Sequence, residues 1–162
     1  YLGIGSNLAS EAFGEPIANC RAAIARLSDS DLAVHAISQF YETAPVPVSE
    51  QPWYVNCVVA VKTGLTPRET LRACLGVEAA LGRVRTIPNA ARIVDIDLLA
   101  WHDLVVNETD LVIPHPRMHE RAFVLLPLAD IAPDWRHPAL CVGIRDLIAQ
   151  LPPDQMIRPL NA

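Results

Sequence analysis

Two carboxylates stand one residue apart inside the β-branched, apolar run Arg92-Ile93-Val94-Asp95-Ile96-Asp97-Leu98-Leu99. The run predicts a central β-strand over residues 93–100. Along a strand, residues i and i+2 share a face, roughly 6.5–7 Å apart at Cα. Asp95 and Asp97 are therefore expected side by side, with Ile96 and Leu98 turned the other way into a core. Adjacent carboxylates repel, and divalent cations between them remove that cost. Arg83 and Arg85 follow Gly82 just upstream, and Arg92 adjoins the strand itself. Oxygen ligands among arginines suit Mg²⁺ carrying a polyphosphate better than zinc. The same spacing also fits a half-buried strand with two solvated acids.

At 162 residues, 51% of them hydrophobic and 19% charged, the chain is expected to form a single domain (1–162) with a real core. A net charge of −5 argues against a nucleic-acid partner. Lys62 is the only lysine, so nearly all positive charge is arginine, the side chain suited to bidentate phosphate recognition. Cys20, Cys57, Cys74 and Cys141 have no metal-ligand spacing and are expected as buried free thiols in a reducing compartment. No apolar run nears the roughly 18 residues of a membrane span, and no charged-then-apolar leader precedes Tyr1. The expected location is cytoplasmic. The chain opens inside a predicted strand, which implies that a few residues precede Tyr1.

Residues 1–8 read as a short buried strand entering a turn, where Gly3 and Gly5 permit close backbone approach and Ser6 or Asn7 bonds local backbone. Over 16–27, Ile17, Cys20, Ile24 and Leu27 recur at helical spacing, and 28–31 ends that helix. Residues 32–41 alternate as a strand whose tail, Tyr41-Glu42-Thr43, enters a loop at 44–52. Pro45, Pro47 and Pro52 exclude regular structure there, and the length of the loop marks it as a functional segment or lid. A strand over 53–61 carries Tyr54 and Asn56 on one face. Thr66, Pro67 and Glu69 form a capping box that starts a helix running to Leu81 and ending at Gly82. Glu78, one turn before Arg83, reads equally as a ligand or a solvated helix acid. Residues 101–103 form a turn and 104–106 a short strand.

His115 lies between Pro114 and Pro116, which fix its backbone, with Arg117 and Arg121 close in sequence. A lone histidine more often reads as structural; framed by prolines beside arginines, this one also reads as a donor to a phosphate. His119 stands four residues on, but Pro116 and the lack of a third ligand argue against a metal pair. Residues 123–131 are helical up to Pro133, and 143–151 form a last helix; nothing after Pro152 is assigned. Strand, helix, two strands, helix and strand together predict an α+β sandwich, an antiparallel sheet with helices packed on it.

Six motifs in this order resemble the 6-hydroxymethyl-7,8-dihydropterin pyrophosphokinase family of folate biosynthesis. They are Gly5-Ser6-Asn7-Leu8, Tyr41-x-Thr43, Gln51-Pro52-x-Tyr54-x-Asn56, Glu78 with Gly82-Arg83-x-Arg85, Ala91-Arg92-x-x-Asp95-x-Asp97-Leu98-Leu99, and Pro114-His115 with Arg121-x-Phe123 and Pro127-Leu128. The resemblance runs from Tyr1 to about Pro133. It implies a ferredoxin-like fold and a monomer that transfers the pyrophosphoryl group of ATP to the pterin hydroxymethyl. By that resemblance Asp95 and Asp97 hold two Mg²⁺ ions, and Asp95 also borders the pterin. Arg83 and Arg92 become the catalytic, mobile arginines. Glu78, Arg85, Leu98, His115 and Arg121 fall on the ATP side. Thr43, Pro45, Val46, Tyr54, Asn56 and Phe123 fall at the pterin pocket, and loops 44–52 and 84–91 close over the substrates. Fusion to, or association with, other folate enzymes is compatible with it.

The chain departs from the family pattern in three places. Residues 86–91 contain no aromatic where the family commonly has a tryptophan, and Ala90-Ala91-Arg92 replaces the usual Gly-Pro-Arg. Asp110 stands near where some relatives carry a basic residue. These departures imply weaker or slower closure, not a different reaction. A non-catalytic nucleotide- or pterin-binding module, and a structural domain of similar fold with no ligand, are the rival readings.

Overall fold

The computed structural model describes residues 1–47, 49–83 and 91–160. Strand β1 (Leu2–Ser6) leads to helix α1 (Pro16–Ser28), which buries Cys20, Ala23, Ile24 and Leu27 as one stripe at helical spacing. The strand expected over 32–41 is two strands instead, β2 (Ala33–Ile37) and β3 (Tyr41–Thr43). Both pair antiparallel with β4 (Tyr54–Lys62), and the register of β2 slips between Val34 and Ala36. The interruption follows at Ser38. Its N–H donates to Val58 O and its own Oγ accepts the Val58 N–H, both at 2.9 Å. A side-chain oxygen thus takes over one ladder position, and the chain bends there before pairing resumes. Tyr41-Glu42-Thr43 is consequently strand, and 44–53 is a true hairpin connection.

Helix α2 (Pro67–Ala80) begins with the expected capping box, the Thr66 N–H donating to Glu69 Oε2 at 2.8 Å. It ends at Gly82, whose φ of +85° is the left-handed conformation that glycine adopts without strain. Strand β5 (Asp95–Leu98) is shorter than expected. Leu104 donates back to Trp101 O across the expected turn, and the following strand, β6 (Val106–Glu108), starts later than 104 and pairs with β7 (Leu111–Ile113). A 3₁₀ turn at Met118–Glu120 precedes α3 (Ala122–Ile131). The small ribbon β8 (Arg136–His137) and β9 (Val142–Gly143) then leads to α4 (Ile144–Ala149). The unassigned tail contributes β10 (Ile157–Pro159).

Among the described residues the main sheet has the order β10-β3-β4-β1-β5, with β2 also on β4. β1 is therefore interior and β5, expected to be central, is an edge strand. This is the ferredoxin-like βαββαβ arrangement, in which the last strand crosses back to lie beside the first. Leu2, Ile4, Cys57, Val59 and Ile96 pack with α1 and α2 in one core. Val58 and Leu99 pack with Val124, Leu125 and Leu128 of α3 and with α4 in another. Cys20, Cys57 and Cys74 are buried free thiols as expected, whereas Cys141 is exposed, on a loop residue with φ of 58°. No helix of the described residues is long and apolar enough to cross a membrane.

Candidate active site

Strand register creates the site. Across three interior and edge strands Asp95 pairs with Gly5 and Gly5 with Asn56; one step along, Asp97 pairs with Gly3 and Gly3 with Val58. Directly opposed residues share a face, so both acids and Asn56 project on the side away from α1 and α2. Ile96 and Leu98 point into the core, as alternation demands. Gly5 is required between them: a Cβ there would sit 2.6 Å from Asn56 Oδ1. Asn56 Nδ2 donates to Thr43 Oγ1 at 2.7 Å, which fixes the carboxamide over the glycine.

A cavity of about 430 Å³ covers this face. Thr43, Pro45, Val46, Tyr54, Asn56 and Phe123 line it, as do Glu78, Arg83, Arg92, Asp95, Asp97, His115 and Arg121. Residues expected on the pterin side and on the ATP side thus meet in one cavity. Leu98 does not line it; its side chain is buried in the opposite core. Arg85 and most of loop 84–91 lie outside the described residues.

The charges interlock. Arg83 Nη1 donates to Glu78 Oε1 and, at 2.5 Å, to Asp95 Oδ1, while Arg92 Nη1 reaches Asp95 Oδ2 at 2.5 Å. Glu78 is only 2% exposed, so it is not a solvated helix acid. Its Oε1 also accepts the Ile96 N–H at 2.7 Å, tying α2 to the acid-bearing strand. Among the described residues the Asp97 carboxylate accepts no hydrogen bond. Its carboxyl is pushed up to about 6, first by burial and then by the Asp95 charge.

His115 is drawn under β5 by its N–H, which donates to Leu99 O at 2.8 Å, and its Nδ1 accepts the Arg117 N–H at 3.2 Å. Burial, then the Arg121 and Arg117 charges, hold it down at about 4. The ring is therefore neutral at pH 7, and with Nδ1 accepting, its proton sits on Nε2 as a donor. His119 makes its ring contact with His137, not His115, at 5.7 Å between centroids. The Arg121 guanidinium lies 5.4 Å from the centre of the Phe123 ring, a cation–π contact that orients both. Asp110, at the position of a basic residue in some relatives, pairs with Arg68 at 2.5 Å.

Of the two residues expected to bond local backbone, Ser6 does so through its Oγ, which donates to Leu8 O at 3.5 Å, whereas the partners of Asn7 are remote. Its Oδ1 accepts the Arg92 N–H at 2.9 Å, and its N–H donates to Arg92 O at 3.2 Å. Its Nδ2 donates to Gln51 Oε1 and Pro52 O, each at 3.2 Å. One buried carboxamide therefore joins the proline-rich loop to the backbone of Arg92. The only sequence signal for this was an asparagine directly after the strand exit Gly5-Ser6.

Among the described residues no three His, Cys, Asp or Glu side chains cluster as a metal cage. The free Asp97 carboxylate beside Asp95 fits Mg²⁺ that shares its remaining ligands with phosphate and water.

The chain is similar to known proteins in sequence and in fold. The family model described as 7,8-dihydro-6-hydroxymethylpterin-pyrophosphokinase (HPPK) matches residues 1–133. A 2-amino-4-hydroxy-6-hydroxymethyldihydropteridine pyrophosphokinase of Methylorubrum extorquens is 41% identical over 162 residues, covering 98% of this chain and 96% of the relative. The folic acid synthesis protein FOL1 of Dictyostelium discoideum is 38% identical over 152 residues, but this chain spans only 22% of its length. Among solved structures, wild-type Plasmodium falciparum HPPK-DHPS with pteroate superposes with a TM-score of 0.70 at 16% identity, over 92% of this chain and 43% of that one. The last likeness concerns the fold alone.

Proposed function

The chain belongs to the 7,8-dihydro-6-hydroxymethylpterin-pyrophosphokinase family, and we propose that it divides the transfer between two sets of side chains facing one cavity. The reaction moves the pyrophosphoryl group of ATP onto the hydroxymethyl of 6-hydroxymethyl-7,8-dihydropterin, giving the pterin diphosphate and AMP. The hydroxyl oxygen bonds to the β-phosphorus as the bond from that phosphorus to the α,β-bridging oxygen breaks; AMP leaves with the bonding electrons, and the hydroxyl proton passes to solvent. Such a transfer asks the protein for positioning and charge neutralisation more than for covalent chemistry.

The observation carrying the residue assignment is the strand register that sets Asp95, Gly5 and Asn56 in one row. Asn56, held by Thr43, offers donor and acceptor atoms to the amide-like edge of the pterin, and Phe123 and Tyr54 flank its rings. Asp95 and Asp97 would hold two Mg²⁺ ions, which when bound neutralise the triphosphate and polarise the transferring group. Arg83 and Arg92, paired with Asp95 in the free protein, turn to the β- and γ-phosphates of bound ATP. The His115 Nε2–H and Arg121 bind phosphate oxygens of ATP. Loop 44–52 closes over the pterin and excludes water as a competing acceptor. The 162 residues act as one domain and as a monomer.

Nucleotide analysis after incubation with ATP, Mg²⁺ and the reduced hydroxymethylpterin tests this reading. AMP and pterin diphosphate are expected in equal amounts. ADP would mean transfer of a single phosphoryl group, and bound Mg-ATP without turnover would mean a binding module.

A further inference from the structure

Gln155 lies beyond the family match, which ends at residue 133, yet it grips the backbone on both sides of Arg121. Its Oε1 accepts the Ala122 N–H at 2.8 Å, and its Nε2 donates to Glu120 O at 2.8 Å. Arg121 has extended backbone, with φ −116° and ψ 112°. In that conformation the carbonyl before a residue and the N–H after it point to the same side. A single carboxamide therefore spans Arg121 as a neighbouring strand would. Ala122 is the first residue of α3, and the Arg121 side chain supplies no cap. Gln155 Oε1 satisfies one of the donors that a helix start leaves open.

The next residues extend the tie across the cavity. The Met156 carbonyl accepts the Ala44 N–H at 3.0 Å, and Ile157 pairs with Thr43 in the β10–β3 ladder. Residues 155–157 thus link the start of α3, which carries Arg121 and Phe123, to the strand and loop that carry Thr43, Pro45 and Val46.

We propose that Gln155 is a positioning residue for pyrophosphoryl transfer, acting through Arg121. The proposal rests on the assignment of Arg121 to ATP. Arg121 sits at the N-cap of α3, where its own N–H donates to Met118 O at 3.3 Å and its carbonyl accepts from Val124 and Leu125; Gln155 holds the two remaining backbone groups beside it, the Glu120 carbonyl and the Ala122 N–H. Without the bracket each peptide plane beside Arg121 loses one of its hydrogen bonds, and a displacement of about 1 Å at a substrate-binding group is enough to cost catalysis heavily.

A double-mutant cycle tests it, with Gln155→Ala, Arg121→Ala and the double variant assayed well below the melting temperature of each. Gln155→Ala is expected to lower kcat/KM for ATP by about tenfold when Arg121 is present, and by less than about twofold when Arg121 is already alanine. The melting temperature should fall by the same amount in both backgrounds. Equal kinetic loss in both backgrounds, or lower stability with unchanged kinetics, would reduce Gln155 to a structural cap and overturn the proposal. Unchanged ATP kinetics in Arg121→Ala would overturn the Arg121 assignment first, and the proposal with it. Should Gln155→Ala not accumulate as folded protein, Gln155→Glu keeps the size and the acceptor but loses the donor to Glu120, and carries the same cycle.

Discussion

Asn7 Oδ1 accepts the backbone N–H of Arg92 at 2.9 Å, across 85 residues of sequence. Because Asn7 Nδ2 donates to Gln51 and Pro52, the end of the proline-rich loop and the backbone of Arg92 hang on one side chain. Asn7→Asp keeps the shape and the acceptor for Arg92 but puts an anionic oxygen against Gln51 Oε1 and Pro52 O. Steady-state kinetics should show kcat reduced by about tenfold, with stability down by about 1–3 kcal/mol from the unsatisfied carbonyl. Unaltered kcat would mean that the two segments move independently.

Gly5 is the narrowest point of the site. In Gly5→Ala the new Cβ, 2.6 Å from Asn56 Oδ1, must push the carboxamide off its bond to Thr43. Pterin affinity should fall by at least about tenfold while ATP affinity stays within about twofold. Calorimetric titration with each substrate reads this directly, and a parallel loss of both would argue for general collapse of the sheet.

Arg83 neutralises two acids at once, and one of them, Glu78, is almost fully buried. Arg83→Met removes one charged hydrogen-bond partner of buried Glu78 and should destabilise the fold by about 1.5–3 kcal/mol. Glu78→Gln in the same chain should restore much of that stability, since the carboxamide can still accept the Ile96 N–H. Turnover should stay low in the double variant. Recovery of turnover together with stability would make Arg83 structural and not catalytic.

Acid and base responses of the ligand-free protein should separate by residue. Asp97 has a folded pKa raised from 3.8 to about 6, so its contribution to stability is present below pH 4 and lost as pH rises through 6. Asp97→Asn is therefore expected to gain up to about 3 kcal/mol over the parent at pH 8, and nothing at pH 4. His115 is depressed from 6.5 to about 4, so the folded protein loses stability as pH falls across that window. His115→Gln should gain on the parent at pH 4.5 and not at pH 7.5, by less than its shift alone implies because the ring is half-buried and partly screened. Melting temperatures across pH 4–8 check both signs, and a shared sign would show that one assignment is wrong.

The features legible from the sequence alone were those set by near neighbours. The box of Thr66 and Glu69, the left-handed stop at Gly82, the burial stripe of α1 and the alternation of Asp95, Ile96 and Asp97 each depend on residues within about four positions, where spacing dictates geometry. The order of motifs likewise pointed to the family, because a functional cavity built from six short segments leaves its spacing in the chain. Tertiary structure decided what faces what. β5 became an edge strand, Ser38 split the expected strand in two, and the unassigned tail returned as β10. Glu78, open from sequence between ligand and solvated acid, proved a buried partner of Arg83, Asn7 reached across the molecule, and Gln155 closed over Arg121. Each of these contacts joins segments whose separation along the chain carries no periodic signal. Only the packing of the sheet, fixed by all strands together, brings their hydrogen-bonding groups within reach.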